Sequence, residues 1–291
     1  MTSPDLRVLR HADAESLLRC AEPWLLQAEP RTNLVLGLAH SLRTESSANR
    51  SRPWLLSIHE GNSVIGCALR TPPGDLIITQ LERPGVEALI RSLGAELPAL
   101  PGVIGPDPSS GEFAAQWSKL HQLPSQLRMR QRFYVLHQSR ADLPATPGRL
   151  RRATSSDLPL VAEWVAQFTE QVATGDPRDP QEAAERAITR GQLYLWQGSR
   201  PVSMAAWTGA TPNGRRVGYV FTPPAERRRG YAAACVAALS GAILSEGDRY
   251  CCLYADLGNP TSNAIYVRIG YEPLYDATQF TLARSPLEQR M

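Results

Sequence analysis

Lysine is nearly absent from this chain of 291 residues, since Lys119 is its single example beside thirty arginines. A phosphate-binding loop of the GxxxxGK[ST] type needs a lysine, and the chain has none to supply it. A Schiff-base enzyme would have only Lys119 as its nucleophile. The shortage of lysine therefore argues against P-loop nucleotide hydrolases and pyridoxal-phosphate enzymes. Most of the arginine excess is explained by base composition.

Histidine and cysteine are sparse as well, with five of each, and their spacing forms no HExxH or CxxC pattern. We therefore expect no metal site and no disulfide framework. The histidines are all in the first half of the chain: His11, His40, His59, His121 and His137. Chemistry in the second half consequently has no local histidine to serve as a general base.

Long apolar runs are missing too, because no stretch approaches the ~18 residues of a membrane span. The net charge of +3 is small for this length and argues against a nucleic-acid partner. The first residues lack the charged-then-apolar layout of a signal peptide, so we expect a cytoplasmic protein.

The chain reads as two similar halves. A proline- and alanine-rich stretch, residues 140–148, has the composition of a linker and predicts domains at 1–145 and 146–291. Residues 6–13 and 150–157 both read as a short strand followed by an acidic helix start. The order of predicted helices and strands after these openings is also shared. This order predicts an internally duplicated α/β fold of two domains.

The most informative segment is a strand over residues 217–221 that two prolines terminate. Arg227-Arg228-Arg229-Gly230-Tyr231-Ala232 follows, and a helical stretch near 227–246 has apolar residues at three- and four-residue intervals. A tight turn into a helix start leaves backbone N–H groups unpaired, which is a geometry that binds phosphate. We therefore predict an anion-binding loop here.

The pattern Arg227-x-x-Gly230-x-Ala232 closely resembles the acetyl-CoA pyrophosphate loop of the GNAT (GCN5-related) acyltransferases. A second block strengthens the resemblance, because Tyr266 follows Asn259 by seven residues and Gly270-Tyr271 comes next. The resemblance covers about residues 149–291. It implies tandem GNAT-like domains of the α/β (α+β) class, each with a mixed, mostly antiparallel central sheet flanked by helices. The first half shares only the order of elements.

The resemblance also assigns roles to individual residues. Backbone groups of the splayed strand would bind the pantetheine arm and the acetyl carbonyl of acetyl-CoA, and backbone groups of the loop would bind its pyrophosphate. The strand positions are Val220, Phe221 and Thr222; the loop positions are Arg227, Arg228, Arg229, Gly230, Tyr231 and Ala232. Asn263 could bond the cofactor, and Asn259 either does so or caps a helix that starts at Pro260.

Tyr266 falls at the family's usual general-acid position, where a phenol would give a proton to the leaving thiolate. A tyrosine packed in the core is the alternative. Glu170 and Asp256 are candidates for the general base, although either could be an ordinary surface carboxylate and a water chain could replace both.

The first half departs from the loop pattern. In Arg83-Pro84-Gly85 the glycine follows the arginine by two residues instead of three, and Glu82 and Glu87 would repel phosphates. We therefore expect this half not to bind CoA productively.

The sequence thus predicts an acetyl-CoA-dependent N-acetyltransferase that transfers the acetyl group directly to a primary amine of a small molecule or peptide. The alternative is a catalytically silent CoA-binding sensor or interaction module. We expect a monomer or homodimer.

Overall fold

In a computed structural model, which describes residues 5–44, 52–94, 100–139, 145–172 and 179–282, the chain divides into two units. The first unit contains Met1–Arg132, Asp256–Gly258 and Leu274–Met291. The second contains Phe133–Ala255 and Asn259–Pro273. Residues 140–144 of the predicted linker lie outside the described residues.

The first unit is built on an antiparallel run of strands that ends in one parallel pair. Its strands are β1 (Leu6–Arg10), β2 (Trp54–Glu60), β3 (Ser63–Arg70), β4 (Leu76–Ile78) and β5 (Gly102–Pro106). Its helices are α1 (Ala14–Leu25), α2 (Glu29–Thr44), α3 (Arg83–Gly94) and α4 (Ser109–His121). The strands lie in chain order; β1 to β4 pair antiparallel and β4 pairs parallel with β5. The strand β6 (Gln126–Leu136) follows α4.

The second unit repeats this plan. Its strands are β7 (Arg149–Arg152), β8 (Leu193–Gln197), β9 (Pro201–Thr211), β10 (Gly214–Phe221) and β11 (Tyr250–Asp256). Its helices are α5 (Leu158–Val172), α6 (Pro180–Thr189), α7 (Tyr231–Ser245) and α8 (Pro260–Ile269). The strands β7 to β10 pair antiparallel and β10 pairs parallel with β11. The predicted duplicated α/β fold with mixed, mostly antiparallel sheets is confirmed.

The last strand of each half is divided between the two units. β12 (Glu272–Thr281) ends the second half, yet it pairs antiparallel with β5 in the first unit. β6 ends the first half, and its final residues, 133–136, belong to the second unit. The predicted division at residues 145/146 stays a prediction, because these units group residues by contact and not by chain half.

Each unit has two hydrophobic clusters, one on each face of its sheet. In β2, Leu55 packs with α1 and α2 whereas Leu56 packs with α3 and α4, because successive side chains of a strand point to opposite faces. In β8, Leu195 packs with α5 and α6 whereas Trp196 packs with α7. None of the described helices is both long enough and apolar enough to span a bilayer.

The exchanged strand β12 provides a test of this arrangement. Thr278 Oγ1 lies 2.6 Å from Ser110 Oγ of α4, and both side chains are buried within the first unit. Thr278→Val keeps the shape and removes the hydroxyl, so we expect the free energy of unfolding to fall by about 1 kcal/mol. Urea denaturation measures the loss, and hydrogen exchange of the β5 amides locates it.

The matched control is Thr281→Val on the same strand, where no side-chain hydrogen bond joins Thr281 to any described residue. Equal effects of the two substitutions, or faster exchange in the second unit alone, would contradict the placement of β12.

Candidate active site

The second unit contains a pair of parallel strands that separates part of the way along. β10 and β11 pair only from Gly214 to Arg216, opposite Tyr250 to Cys252. Both strands continue beyond this point, β10 to Phe221 and β11 to Asp256, without further pairs between them in the described chain. Backbone N–H and C=O groups that face such a gap have no ladder partner and can bind a ligand.

A β-bulge lies on β10 beside this gap. The register with β9 shifts between Gly218 and Phe221, and Tyr219 has a φ of 49°, in the left-handed region. The Tyr219 ring packs on Phe168 of α5 with 5.4 Å between centroids, which helps to hold this conformation. A Cβ added to Gly218 would meet no atom within 4 Å, so the strand borders open space here.

The protein's own side chains hold the end of β10. Ser203 Oγ donates to the carbonyl of Phe221 at 3.0 Å and lies 2.8 Å from Thr222 Oγ1. Arg227 Nε donates to the carbonyl of Thr222 at 3.0 Å. The carbonyls of Phe221 and Thr222 are therefore engaged, whereas Val220 sits within the bulge, where no ladder pair to β9 is formed.

The loop after β10 turns sharply into α7. Arg228 has a φ of 64° and Gly230 a φ of 82°, so the helix begins at Tyr231 and not near residue 227 as predicted. No side chain caps the helix, and its first intrahelical bond runs from Ala234 N–H to Gly230 O at 3.0 Å. The first N–H groups of α7 consequently have no acceptor within the helix, which is a geometry that can bind an anion. This arrangement fits the pyrophosphate of CoA.

Gly230 is required at this turn for two reasons. Its φ of 82° is one that side-chain-bearing residues rarely adopt. A Cβ at this position would also lie 3.1 Å from Thr146 Oγ1. The sequence pattern alone contains neither constraint.

The three arginines of the loop differ in their contacts. Arg227 is engaged with the end of β10, and its Nη2 donates to Gln171 Oε1 of α5 at 2.9 Å. Arg229 Nη1 lies 3.0 Å from Oε2 of the buried Glu226. Arg228 is exposed and forms no ion pair with any described residue. Its charge is thus the one of the three that is not engaged by another described residue.

Tyr266 lies on α8 and is buried, with 8% of its surface exposed. Its ring is 6.3 Å from the Tyr134 ring and 6.0 Å from the Tyr271 ring, between centroids. Burial raises the pKa of Tyr266 to about 12. Because its pKa is raised, the phenol is protonated near neutral pH. Its hydroxyl hydrogen-bonds to no described side chain.

The two asparagines of the second block are engaged within the protein. Asn259 is the N-cap of α8, and its Oδ1 accepts from Ser262 N–H at 3.1 Å. Asn263 Nδ2 donates to the Asn259 carbonyl at 2.8 Å. Asn263 Oδ1 accepts from the Tyr134 hydroxyl at 2.8 Å. Sequence reasoning missed Tyr134, because it lies on β6 in the other half of the sequence and belongs to no motif.

The two candidate bases lie in different surroundings. Glu170 is exposed near the end of α5, next to Gln171. Asp256 belongs to the first unit, and its Oδ1 accepts from Gly258 N–H at 2.8 Å. Within the described chain, no hydrogen bond joins either carboxylate to Tyr266. Residues 173–178, which follow α5, lie outside the described residues.

In the first unit, the segment between β4 and α3 corresponds to the loop between β10 and α7, and its Leu81 is closely packed. Leu81 N–H donates to Ser109 Oγ, which donates back to the Leu81 carbonyl, each at 2.8 Å. The Leu81 side chain covers Gly66 and Gly85, so a Cβ on Gly66 would overlap it. Arg83, at the start of α3, pairs with Glu87 at 3.2 Å. In the first unit, the segment before α3 is thus held by Ser109 and its leucine side chain packs against two glycines.

Comparison with known structures identifies the fold. An X-ray structure of a Drosophila protein matches with a TM-score of 0.68 and 13% identity, covering 97% of this chain and 99% of that one. A GCN5-related N-acetyltransferase from Sphaerobacter thermophilus matches with a TM-score of 0.59 and 14% sequence identity, covering 96% of each chain. A tandem GNAT protein from the clavulanic acid biosynthesis pathway matches with a TM-score of 0.58 and 15% sequence identity, covering 95% of this chain and 97% of that one. The chain thus has the tandem fold of the GNAT acetyltransferases.

A family model also matches part of the chain. Residues 193–281 match the family described as FR47-like protein. The matched range extends from β8 to β12 and includes the separated strands β10 and β11, the loop before α7 and Tyr266. None of the curated protein sequences compared with the chain matches it. Among the described residues, no group of three or more histidines, cysteines or carboxylates is placed to hold a metal ion.

The environment of Tyr266 predicts its titration. Because burial raises its pKa to about 12, we expect the phenol to remain protonated through pH 10, its ordinary value. The stabilising contribution of the neutral phenol is then complete below pH 10 and is lost as the pH rises toward 12. NMR of ring-labelled tyrosine measures the midpoint, and Tyr266→Phe assigns the signal. A midpoint at or below 10 would contradict the burial of the hydroxyl.

Proposed function

We propose that the chain is an acetyl-CoA-dependent N-acetyltransferase whose second half carries the reaction. The observation that supports this most directly is the course of β10. It leaves β11 after Arg216, bulges at Tyr219 and leads into an uncapped helix start at Gly230. One short segment thereby offers backbone groups to an extended arm and N–H groups to a pyrophosphate.

The loop holds the pyrophosphate end of the cofactor. Backbone N–H groups from Arg228 to Ala232 donate to phosphate oxygens, and the helix dipole favours the negative charge. Arg228 adds an outward positive charge. Arg227 and Arg229 act mainly on the loop itself, through Gln171 and Glu226. Arg227 and Arg229 thus hold the loop in position, whereas Arg228 supplies charge to the phosphates.

The bulged strand orients the thioester, which supplies an activated acetyl group when acetyl-CoA is bound. Val220 offers its backbone to the acetyl carbonyl, where an N–H donor stabilises the charge that develops on the oxygen. Ser203 and Arg227 keep the neighbouring carbonyls in place. The nucleophile is a neutral primary amine of a small molecule or peptide, held in line with the carbonyl.

Tyr266 serves as the proton donor to the leaving thiolate. Its hydroxyl is protonated near neutral pH and has no partner among the described residues that would compete for its hydrogen. The amine loses its proton to Glu170, to Asp256 or to water, and the exposure of Glu170 and the Asp256–Gly258 bond favour water as the carrier.

The first half contributes no second cofactor site in this proposal. Leu81 and Ser109 fill the position that corresponds to the open cleft, and the Arg83 side chain is paired with Glu87.

The loop is tested by a matched pair of charge substitutions on one helix. Gly230→Glu places a side chain on a left-handed residue and a carboxylate at the pyrophosphate site, so we expect acetyl-CoA affinity to fall by at least about tenfold. Gly241→Glu makes the same charge change on α7, where a Cβ meets no atom within 4 Å, and should leave affinity unchanged. Isothermal titration measures both. No binding by the unaltered chain, or equal effects of both substitutions, would refute the site.

Tyr266→Phe separates binding from turnover. Removing the proton donor should lower kcat by roughly a hundredfold or more and leave acetyl-CoA affinity unchanged. The readout is free thiol released with acetyl-CoA and a panel of primary amines, amino acids and peptides. Tyr271→Phe is the control, since that hydroxyl is buried against Ser240 at 2.8 Å. Cofactor binding without thiol release from any amine would instead support the silent CoA-binding module.

A further inference from the structure

A polar cluster interrupts the apolar interior of the first unit. Ser57 and His59 of β2 are both buried, and Leu55, two residues before Ser57, packs in the cluster with α1 and α2. Cys20 of α1 and His11, just after β1, complete the group and are partly exposed. The proposed acetyltransferase reaction uses none of these four residues.

Short contacts join the four side chains. Ser57 Oγ lies 2.8 Å from His11 Nε2 and 2.8 Å from His59 Nε2. Cys20 Sγ lies 3.7 Å from His59 Nε2 and 3.9 Å from Ser57 Oγ. A thiol, an imidazole, a hydroxyl and a second imidazole thus form a continuous chain.

The hydroxyl at the centre has one hydrogen to give and two lone pairs to accept with. When His59 carries its proton on Nδ1 and the Ser57 hydrogen turns to His11 Nε2, the Nε2 lone pair of His59 is released from Ser57 and can accept the hydrogen of the Cys20 thiol, 3.7 Å away. When His59 gains a proton there, the new N–H has Ser57 Oγ as its acceptor. The cluster can therefore take a proton from Cys20 and stabilise the product.

Both imidazoles are available as bases at neutral pH. Burial is the main cause that lowers the pKa of His59, and the Arg7 charge lowers it further. Burial likewise lowers the pKa of His11, with His59 adding to the effect and Asp13 opposing it. The buried Cys67, which faces Ser57 across the β2–β3 pair, also interacts electrostatically with Cys20.

Cys20 also differs from the other cysteines in exposure. Cys67, Cys235, Cys251 and Cys252 are buried, whereas Cys20 is partly open to solvent. Burial raises the pKa of the Cys235 and Cys251 thiols to about 12 and that of Cys67 higher still, so these three are poor nucleophiles.

We propose that Cys20 is a nucleophilic site, with His59 as its general base and Ser57 and His11 as positioning residues, that takes soft carbon electrophiles. The Cys20 sulfur forms a bond to the electrophilic carbon as the leaving group departs with its bonding electron pair. The thiol proton passes to His59 Nε2, and the imidazolium then returns it to solvent. The site is independent of CoA binding in the second unit.

Iodoacetamide is the probe, because its iodide leaves in the same kind of displacement. The full chain is alkylated at several pH values, and mass spectrometry follows each cysteine. We expect Cys20 to react first, at a rate that increases with pH below about 6.5 and is level near pH 7, since the base is neutral His59. The rate at pH 7 should exceed that of the same cysteine in the urea-unfolded chain.

His59→Gln should slow Cys20 alkylation at pH 7 by roughly tenfold or more and shift the rise in rate to the free-thiol range near pH 8.5. His121→Gln, a histidine of α4 outside the cluster, should change neither. Near-UV circular dichroism checks that the variants fold. If His59→Gln fails to fold, the pH profile of the unaltered chain still decides. A profile that follows a free thiol, or a rate below that of the unfolded chain, would overturn the proposal.

Discussion

The short parallel pairing of β10 with β11 is the constraint on which the candidate site depends. Three residue pairs hold the strands together, from Gly214 opposite Tyr250 to Arg216 opposite Cys252, and then they separate. A fully paired sheet would use its backbone groups internally. Because the ladder stops early, the carboxyl-terminal part of β10 has no pairs with β11 in the described chain, and this is the segment to which the proposal assigns the extended arm of the cofactor.

The turn at the end of β10 depends on contacts that hold a strained backbone. Arg228 and Gly230 both have positive φ, and the turn between them is tied down on either side. Arg227 fixes it to Thr222 and Gln171, and Arg229 is held by Glu226. Glu226 is buried and also pairs with Arg200 at 2.7 Å, so its charge is compensated twice. This network holds the turn that leads into α7.

The fold and the loop between β10 and α7 could be predicted from the sequence, because both are encoded in local patterns. The order of strands and helices, the prolines after β10 and the glycine at 230 can each be read within a few residues. The end of the loop was less predictable, because the left-handed conformation of Arg228 delays the helix to Tyr231. Nothing local indicates that Arg228 forms no ion pair with a described residue while its two neighbours are engaged, since Gln171 and Glu226 lie outside the motif.

The chain by itself determined that this is a duplicated α/β protein, and it predicted an anion-binding helix start in the second half, because turn and helix-start chemistry is encoded in consecutive residues. Only the tertiary structure decided which strand completes each unit, since β12 pairs with β5 and Tyr134 of β6 meets Asn263 across long stretches of sequence. It also decided that Leu81 bonds Ser109 of α4 in the first unit, and that Ser57 brings His11, His59 and Cys20 together. Such contacts form only when the sheets pack, and no spacing along the chain records them.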